Sequence, residues 1–329
     1  MGRSIARRRV RRYLLGKVGG VRMILCCGEA LIDMLPRESR AGEAAFAPYP
    51  GGAVFNTAVA LGRLGAGAGY FGGLSTDLFG EMLVAALAAS GVDAGLAPRS
   101  ARPTTLAFVT LQGGQARYAF YDEATAGRML GPADLPALPD AVQTLFLGGI
   151  SLVVEPCSAA FEALAVREAG RRVVMIDPNI RPGFIHDEAA YRARLGRMLA
   201  LADIIKLSDE DLRWLLGPVT IEAAARSLLA AGARLVFVTE GAKGARGFWA
   251  GGAVFEPARK VAVVDTVGAG DTFNAGVLAA LSRAGALSKA GLAEAGEAAL
   301  RAALALGVAA AAVVVSRAGA NPPWAAELA

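Results

Sequence analysis

Short apolar runs of strand length alternate along the chain with longer segments whose apolar residues recur every three or four positions. The predicted strands are residues 23–27, 69–71, 144–147, 173–176, 204–207 and 235–239. The predicted helices are residues 54–64, 78–89, 158–168, 188–201 and 222–231, followed by three more near the C-terminal end. This alternation is typical of βα units and excludes all-β and all-α folds. We therefore expect an α/β fold with a mostly parallel sheet that helices cover on both faces.

Two segments depart from the alternation. Residues 104–111 and 116–121 flank a glycine pair and have no helix after them, which predicts a β-hairpin. With the Pro- and Gly-rich residues 31–50, this region predicts a small β-extension built from about residues 31–50 and 100–122. The extension could serve as a lid over a site or as an edge hairpin that caps the sheet, and its exposed edges allow a homodimer through the lid.

Basic residues are concentrated at the start of the chain. The sequence has 34 Lys and Arg against 29 Asp and Glu, for a formal net charge of +5. Eight of the basic residues and none of the acidic ones lie in residues 1–22, so residues 23–329 carry a charge of about −3. This distribution argues against nucleic acid or a membrane as a partner. We expect residues 1–22 to be a disordered extension or to precede a true start at Met23, and residues 23–329 to form a single domain.

Histidine and cysteine usage restricts the chemistry further. The one histidine, His186, excludes metal sites that need several imidazoles, and we interpret it as a loop residue. The three cysteines form no CxxC pair, which favours a reducing compartment. The longest uncharged apolar stretch, residues 302–315, is shorter than the roughly 20 residues that a bilayer requires. It predicts a buried helix, and the whole pattern predicts a cytoplasmic protein.

The most informative segment is residues 265–276, with the sequence DTVGAGDTFNAG. Apolar residues recur every four positions after Asp271, so a helix should begin near Gly270. The backbone N–H groups of Gly268, Ala269 and Gly270 would then face an anion with little side-chain bulk in the way. Asp271 has two interpretations: a carboxylate that takes a proton from an attacking hydroxyl during phosphoryl transfer, or a cap of the helix start.

A second glycine pair, Gly51 and Gly52, opens the predicted helix at residue 54. Two glycines allow the backbone to approach a ligand closely. Asn56, off the packed face of that helix, supplies a donor and an acceptor suited to sugar hydroxyls. Asp33, shortly after the first strand, can accept hydrogen bonds from two hydroxyl groups at once. Each residue taken singly is also explained by a turn or a solvated surface.

Taken together, these segments resemble the PfkB or ribokinase-like family of carbohydrate kinases. Residues 51–65 and 72–80 resemble its N-terminal signature, and residues 265–276 its C-terminal signature. Residues 177–181 and 206–210 are most similar to its bacterial fructokinase branch. The resemblance covers residues 23–324 and implies a three-layer α/β/α core with a small β-sheet lid.

The resemblance also implies roles for individual residues. It makes Asp271 the catalytic base and the N–H groups of Gly268, Ala269 and Gly270 the anion hole, with Arg181 reaching the sugar or the transferred phosphate. The residues implied to hold the sugar are Asp33, Gly51, Gly52 and Asn56. Those implied on the nucleotide side are Lys206, Ser208, Thr239, Gly241, Gly244 and Asn274.

Metal sites follow from the resemblance as well. A monovalent cation such as K⁺ is implied at Asp265, Val267, Ser316, Gly319 and Asn321. The family's Asn-x-x-Glu motif, linked to Mg²⁺, appears here as residues 208–211. Ser208 and Asp211 keep an oxygen at both positions, so we expect Asp211 to act on Mg²⁺ through water.

The resemblance implies ATP-dependent phosphorylation of a primary hydroxyl of a small sugar, with fructose O6 as the expected acceptor. The alternative is 2-keto-3-deoxygluconate, whose carboxylate would need one of Arg102, Arg117, Arg128 or Arg181; ribose or a nucleoside is a third acceptor. Two other classes are a catalytically silent sugar-binding regulator and a nicotinamide oxidoreductase. Residues 67–72 spell GxGxxG, but they lead from a helix into a strand, the reverse of a dinucleotide fingerprint, and the chain has no P-loop motif.

Overall fold

The computed structural model describes residues 22–112 and 115–328, so the predicted basic extension lies outside the described residues except for Arg22. The strands in chain order are β1 Met23–Cys27, β2 Leu31–Glu38, β3 Ala44–Gly51, β4 Ala68–Phe71, β5 Leu74–Ser75, β6 Arg99–Ser100, β7 Leu106–Gln112, β8 Gln115–Tyr121, β9 Val142–Gly148, β10 Val173–Asp177, β11 Ile204–Ser208, β12 Leu235–Thr239, β13 Gly244–Trp249 and β14 Gly252–Pro257. The helices are α1 Ala53–Arg63, α2 Leu78–Ala89, α3 Cys157–Glu168, α4 Glu188–Leu199, α5 Asp209–Leu216, α6 Ile221–Ala230, α7 Ala269–Arg283, α8 Lys289–Ala293 and α9 Glu297–Val315.

The central sheet has eight strands in the order β14-β13-β12-β11-β10-β9-β1-β4. Strands β12 through β4 in this order are all parallel, and β13 and β14 add an antiparallel edge. The prediction of a mostly parallel sheet is confirmed. The antiparallel edge was not predicted, because its strands contain glycines and charged residues instead of a continuous apolar run.

Helices cover both faces of this sheet because alternate strand residues point to opposite sides. In β1, Ile24 and Cys26 join a core cluster that includes residues of α1, α2, α7 and α9. Leu25 and Cys27 join a second cluster with residues of α3, α4, α5 and α6. Both faces are therefore buried, as expected for a parallel sheet, and the architecture is three-layer α/β/α.

A separate sheet of four strands, in the order β3-β2-β7-β8, forms the predicted β-extension, which we call the lid. Strands β2 and β3 pair antiparallel, β7 and β8 form the predicted hairpin, and β2 and β7 pair parallel. The chain enters the lid directly after β1 and returns from it directly before α1. This placement sets the lid next to the carboxyl end of β1.

The apolar residues 302–315 belong to a longer helix than predicted, α9, which begins at Glu297. Its buried side includes Leu300, Leu304 and Val308, in the same core cluster as α7. Among the described residues, α9 alone is long and apolar enough to cross a membrane by length and composition, a test that buried core helices also pass.

Candidate active site

A cleft of about 850 Å³ lies between the lid and the carboxyl ends of the parallel strands. The lid contributes Leu31, Asp33, Tyr118 and Phe120 to its lining. The core contributes, among others, Glu29, Gly52, Asn179, Arg181, Thr266, Val267, Gly268, Ala269, Gly270 and Asp271. The cleft is large enough for small-molecule ligands. It lies at the carboxyl ends of the strands, where open α/β folds bind their ligands.

Asp271 lies at the start of α7, buried at the base of the cleft. Its Oδ2 accepts a hydrogen bond of 2.9 Å from the Asn56 side-chain amide. Burial raises the pKa of Asp271 to about 7, against the lowering effect of the Asn56 hydrogen bond. No side chain among the described residues caps α7, so the interpretation of Asp271 as a helix cap is wrong.

The segment before Asp271 leaves room for an anion. Gly268 is the N-cap of α7 and has φ 77°, a left-handed conformation that favours glycine. A Cβ at Gly270 would contact only the Lys206 Nζ, at 3.3 Å. The Ala269 N–H donates to the Thr266 carbonyl at 3.3 Å, whereas among the described residues the structure shows no such bond from the N–H groups of Gly268 and Gly270. The anion hole stays a prediction, for which these two N–H groups are the open donors.

A buried cluster of polar side chains lies behind Gly270. The Lys206 Nζ lies 2.9 Å from Asp177 Oδ2, and both side chains are almost fully buried. The Asn274 amide donates to the same oxygen at 2.7 Å. The Asn274 Oδ1 is buried and has no hydrogen-bond partner among the described residues. Two of the predicted nucleotide-side residues, Lys206 and Asn274, thus lie together under the helix start.

The predicted sugar-side residues lie near the connection at Gly51 and Gly52, which joins the lid to the core. Asp33 lines the cleft from β2, and burial raises its pKa to about 6. A Cβ at Gly51 would lie 2.1 Å from Asp33 Oδ2, so only glycine leaves this carboxylate in place. Gly52 has φ 105° and lines the cleft. Asn56 is buried instead of lying off the packed face, because it faces α7 and bonds Asp271.

The lining of the cleft also includes Arg181, an exposed residue that follows β10. Nearby, Phe184 contacts Phe120 of the lid edge to face, with ring centroids 4.2 Å apart. His186 also lines the cleft and is exposed, as expected of a loop residue. Arg181 and the two aromatic rings thus line the same cleft as Asp271.

None of the predicted nucleotide-side residues, Lys206 and Asn274 included, is among the described residues that line the cleft. Ser208 caps α5, and its side chain and that of Asp211 bond each other's backbone N–H groups. Asp211 Oδ1 additionally accepts the Ile180 N–H at 2.9 Å. Thr239 ends β12, and Gly241 and Gly244 form the following turn with φ 55° and 131°. These residues shape the same end of the sheet as Lys206.

The residues predicted to hold a monovalent cation are brought together by two adjacent loops. Asp265 accepts the N–H groups of Val267 at 3.0 Å and Gly319 at 2.9 Å. The Ser316 hydroxyl donates to the Val313 carbonyl, and Asn321 Oδ1 accepts from Arg63. The described residues contain no group of three or more His, Cys, Asp or Glu side chains that could hold a metal ion.

The site also contains Glu29, a residue that was not predicted from the sequence. Glu29 lines the cleft between β1 and β2, and its carboxylate accepts the N–H groups of Ala53 at 3.1 Å and Ser151 at 3.3 Å. The available signal was a lone acidic residue between two buried apolar runs, since buried acidic residues are rare unless they are partnered.

Backbone N–H groups at a helix start can bind an anion, and a carboxylate of near-neutral pKa beside them can accept a proton. A phosphotransferase that acts on a hydroxyl needs this combination. With the lid and the parallel sheet, it defines the class of ribokinase-like kinases. Residues 21–327 match the family described as pfkB family carbohydrate kinase, and the chain belongs to that family. The family predicted from the motifs is confirmed.

Individual relatives agree with this assignment. A fructokinase of Rhizobium leguminosarum bv. trifolii is 54% identical over 279 residues, which cover 85% of this chain and 86% of the relative. The crystal structure of fructokinase with bound ATP from Xylella fastidiosa matches with a TM-score of 0.84 and 28% identity, covering 94% of this chain and 98% of that one. A double mutant of fructokinase from Vibrio cholerae O395, in a form with fructose, ADP and potassium ion bound, matches with a TM-score of 0.79 and 25% identity over 92% and 95% of the two chains.

Proposed function

We propose that this carbohydrate kinase transfers the γ-phosphoryl group of ATP to the O6 hydroxyl of fructose. The observation that carries the proposal is the buried Asp271 carboxylate, held by the Asn56 amide beside the open start of α7. The 54% identity to a fructokinase supports fructose as the acceptor. A solved fructokinase of the same fold that binds ATP supports the donor.

In this proposal Asp271 is the base. As the sugar oxygen bonds to the γ-phosphorus, the bond from that phosphorus to the ADP oxygen breaks, and the hydroxyl proton passes to Asp271. A base works best when its pKa lies near the working pH, and burial raises the pKa of Asp271 to about 7. The Asn56 hydrogen bond fixes one carboxylate oxygen, so the other is free to face the sugar.

The other predicted residues bind and orient the reactants. The N–H groups from Gly268 to Gly270 hold the transferred phosphoryl group, and Lys206 lies behind Gly270 to offset its charge. Asp33 accepts sugar hydroxyls, and Arg181 approaches the sugar or the phosphate. Closure of the lid excludes water, so that a sugar hydroxyl attacks instead.

Two cations are part of the proposal. Mg²⁺ bound to ATP would offset the negative charge of the phosphates. Both oxygens of Asp211 already accept hydrogen bonds, which fits an action on Mg²⁺ through water only. K⁺ would bind between the loops of Asp265 and Gly319, with oxygens of Val267, Ser316 and Asn321; the potassium form of a related fructokinase supports this.

The acceptor is tested by assaying the purified protein with ATP and, in parallel, with fructose, 2-keto-3-deoxygluconate and ribose. We expect the highest kcat/KM with fructose and a 6-phosphate product by ³¹P NMR. Three of the arginines that could bind a carboxylate have described side chains. Arg128 is paired with Asp122 at 3.8 Å, and Arg102 is outside the cleft lining. Arg181 is therefore the remaining candidate among them. A higher kcat/KM with 2-keto-3-deoxygluconate would overturn fructose as the substrate.

Location and assembly are also proposals. We propose that the kinase acts in the cytoplasm, where sugar and ATP are available, and that it forms a homodimer through the lid. Phe46 and Tyr121, exposed by 43% and 64%, flank Phe108 on the lid face that points away from the cleft. Light scattering should give twice the chain mass, and Tyr121→Lys should give the monomer.

A further inference from the structure

Glu29 lies where the chain crosses between core and lid. It follows β1 of the central sheet by two residues and precedes β2 of the lid by two residues. The return crossing, at Gly51 and Gly52, lies beside it. Two of the chain connections between the lid and the core therefore lie at or beside Glu29.

The Glu29 carboxylate connects three segments. Its Oε1 accepts the N–H of Ala53, the first residue of α1, at 3.1 Å. Its Oε2 accepts the N–H of Ser151, in the turn that follows β9, at 3.3 Å. The Glu29 backbone carbonyl accepts the N–H of Phe55 at 3.2 Å. One residue therefore holds the connection between core and lid, the start of α1 and the end of a central strand in a fixed relation.

The backbone leaves room for this carboxylate at two glycines with left-handed φ. Gly149 has φ 68°, and a Cβ there would lie 2.0 Å from Glu29 Oε1. Gly52 has φ 105°, and a Cβ there would lie 3.0 Å from the Glu29 carbonyl oxygen. Since both positions accept only a residue without a side chain, the carboxylate has a site built around it.

The consequence for the reaction passes through α1. Ala53, which Glu29 holds, lies three residues before Asn56, and Asn56 donates to Asp271 Oδ2. A shift of the helix start would move the amide away from the base. We propose that Glu29 is a positioning residue for phosphoryl transfer, which sets Asn56 and thereby the Asp271 carboxylate; this inference rests on the proposed function.

Charge gives the proposal a second readout. The groups that face Glu29 from the packed elements are Tyr70 of β4, Cys157 of α3 and Asp271 of α7, and Asp122 and Arg128 line a small cavity beside it. The negative charge of Glu29 contributes to the raised pKa of Asp271. The Asn56 hydrogen bond lowers the same pKa more strongly, so a displaced Asn56 should raise the pKa of Asp271 even when the charge at residue 29 is kept.

The test compares Glu29→Gln, Glu29→Asp and the exposed lid control Glu38→Gln in the intact protein. Gln has one carbonyl oxygen for two N–H donors, and Asp keeps the charge but is one methylene too short to reach both. We expect kcat with fructose to fall about 10–100-fold in both Glu29 variants, with the KM for ATP little changed. The acid limb of kcat/KM should move to higher pH in Glu29→Asp, which keeps the charge but releases Asn56, and less far in Glu29→Gln, which also loses the charge. Glu38→Gln should match the wild type.

Circular dichroism and titration with a non-hydrolysable ATP analogue give the folded, nucleotide-binding fraction, and kcat is expressed per such molecule. Wild-type kcat in both Glu29 variants overturns the proposal. A loss of kcat with an unmoved acid limb in Glu29→Asp, or failure of both variants to fold, shows a structural role and also overturns it. A wild-type protein that phosphorylates another sugar refutes fructose as the substrate, and the Glu29 comparison is then made with that sugar.

Discussion

The side-chain amide of Asn56 donates a hydrogen bond of 2.9 Å to Asp271, a residue 215 positions later in the chain. The next residue, Thr57, donates its hydroxyl to the Asp271 backbone carbonyl at 3.3 Å. Both bonds join the starts of α1 and α7, which lie in the same core cluster. The orientation of the proposed base is therefore set by helix packing, and α1 is as important to the site as the glycine-rich segment.

Asp271→Asn is expected to lower kcat by at least about 10³-fold, because an amide cannot accept the proton of the sugar hydroxyl. The fold and ATP binding should remain nearly intact, since Asn can still accept the Asn56 hydrogen bond through its carbonyl oxygen. Initial rates and nucleotide titration measure the two properties. A kcat within tenfold of the wild type would exclude Asp271 as the base.

The same substitution should stabilise the protein at neutral and alkaline pH. The pKa of Asp271 is raised from 3.8 to about 7 in the folded protein, so between these values the folded state binds more protons than the unfolded state. Its free energy of unfolding then falls as the pH rises, and Asn removes this loss. We expect a gain of up to about 4 kcal/mol at pH 8 and none near pH 3, measured by urea denaturation.

The pH dependence of kcat/KM should show an acid limb near pH 7. Activity requires the ionised form of Asp271, whose pKa burial raises to about 7. Below about pH 6 the decline should steepen, because Asp33 also becomes protonated and donates to the sugar instead of accepting. Rates measured from pH 5 to 9 in buffers of constant ionic strength test this. An acid limb near pH 4, the range of an exposed carboxyl, would contradict it.

Gly270→Ala should separate folding from phosphate binding. The new Cβ meets only the Lys206 Nζ, at 3.3 Å, so the free energy of unfolding should change little. The methyl group occupies the space of the bound phosphoryl group, and kcat/KM for ATP should fall about 10²-fold. The matched control is Gly196→Ala at an exposed position of α4, where a Cβ meets nothing within 4 Å and activity should be unchanged. Equal activity in both variants would contradict an anion hole at Gly270.

Gly51→Ala should act on the sugar side alone. Its Cβ would lie 2.1 Å from Asp33 Oδ2, so the Asp33 carboxylate must move. We expect the KM for fructose to rise about tenfold or more and the KM for ATP to stay the same. Gly170→Ala is the control, because nothing lies within 4 Å of a Cβ there. An unchanged KM for fructose would remove Asp33 from the sugar site.

The central strands were predictable because each buries both faces and has a continuous apolar sequence. The predicted strand at residues 235–239 matches β12, and the predicted helix at residues 78–89 matches α2. Strand β13, which pairs antiparallel with both β12 and β14, has the sequence GARGFW, whose pairing depends on its neighbours and not on its own apolar pattern. Such tertiary pairing cannot be read from a local window.

The candidate site was predictable to the extent that glycine pairs and helix starts have sequence signatures. The contacts that orient it were not, because they join distant segments: Asn56 with Asp271, and Lys206 with Asp177. Lys206 lies in β11, and the sequence predicted it only as a residue on the nucleotide side. Its buried partner depends on the parallel pairing of β10 and β11, which brings the carboxyl ends of both strands together.

Lys206 and Asp177 allow the contributions to stability and to catalysis to be measured apart. The two side chains are 4% and 3% exposed, so Lys206→Met would leave the Asp177 carboxylate buried without its cation. Loss of one partner of a buried pair costs about 3–5 kcal/mol, whereas replacing both with neutral groups is often nearly neutral. The double variant Lys206→Met, Asp177→Asn should therefore regain most of the stability that Lys206→Met loses in urea denaturation.

Activity should not return with that stability. If Lys206 offsets phosphate charge behind Gly270, the double variant folds but lacks the cation, and its kcat/KM for ATP should remain about 10²-fold below the wild type. Asn274 donates to Asp177 at 2.7 Å and can still donate to the carbonyl oxygen of the amide that Asp177→Asn introduces, so the cluster keeps this hydrogen bond. A double variant with wild-type kcat/KM would show that Lys206 serves only to neutralise Asp177, and the anion would then be bound by the N–H groups of α7 alone.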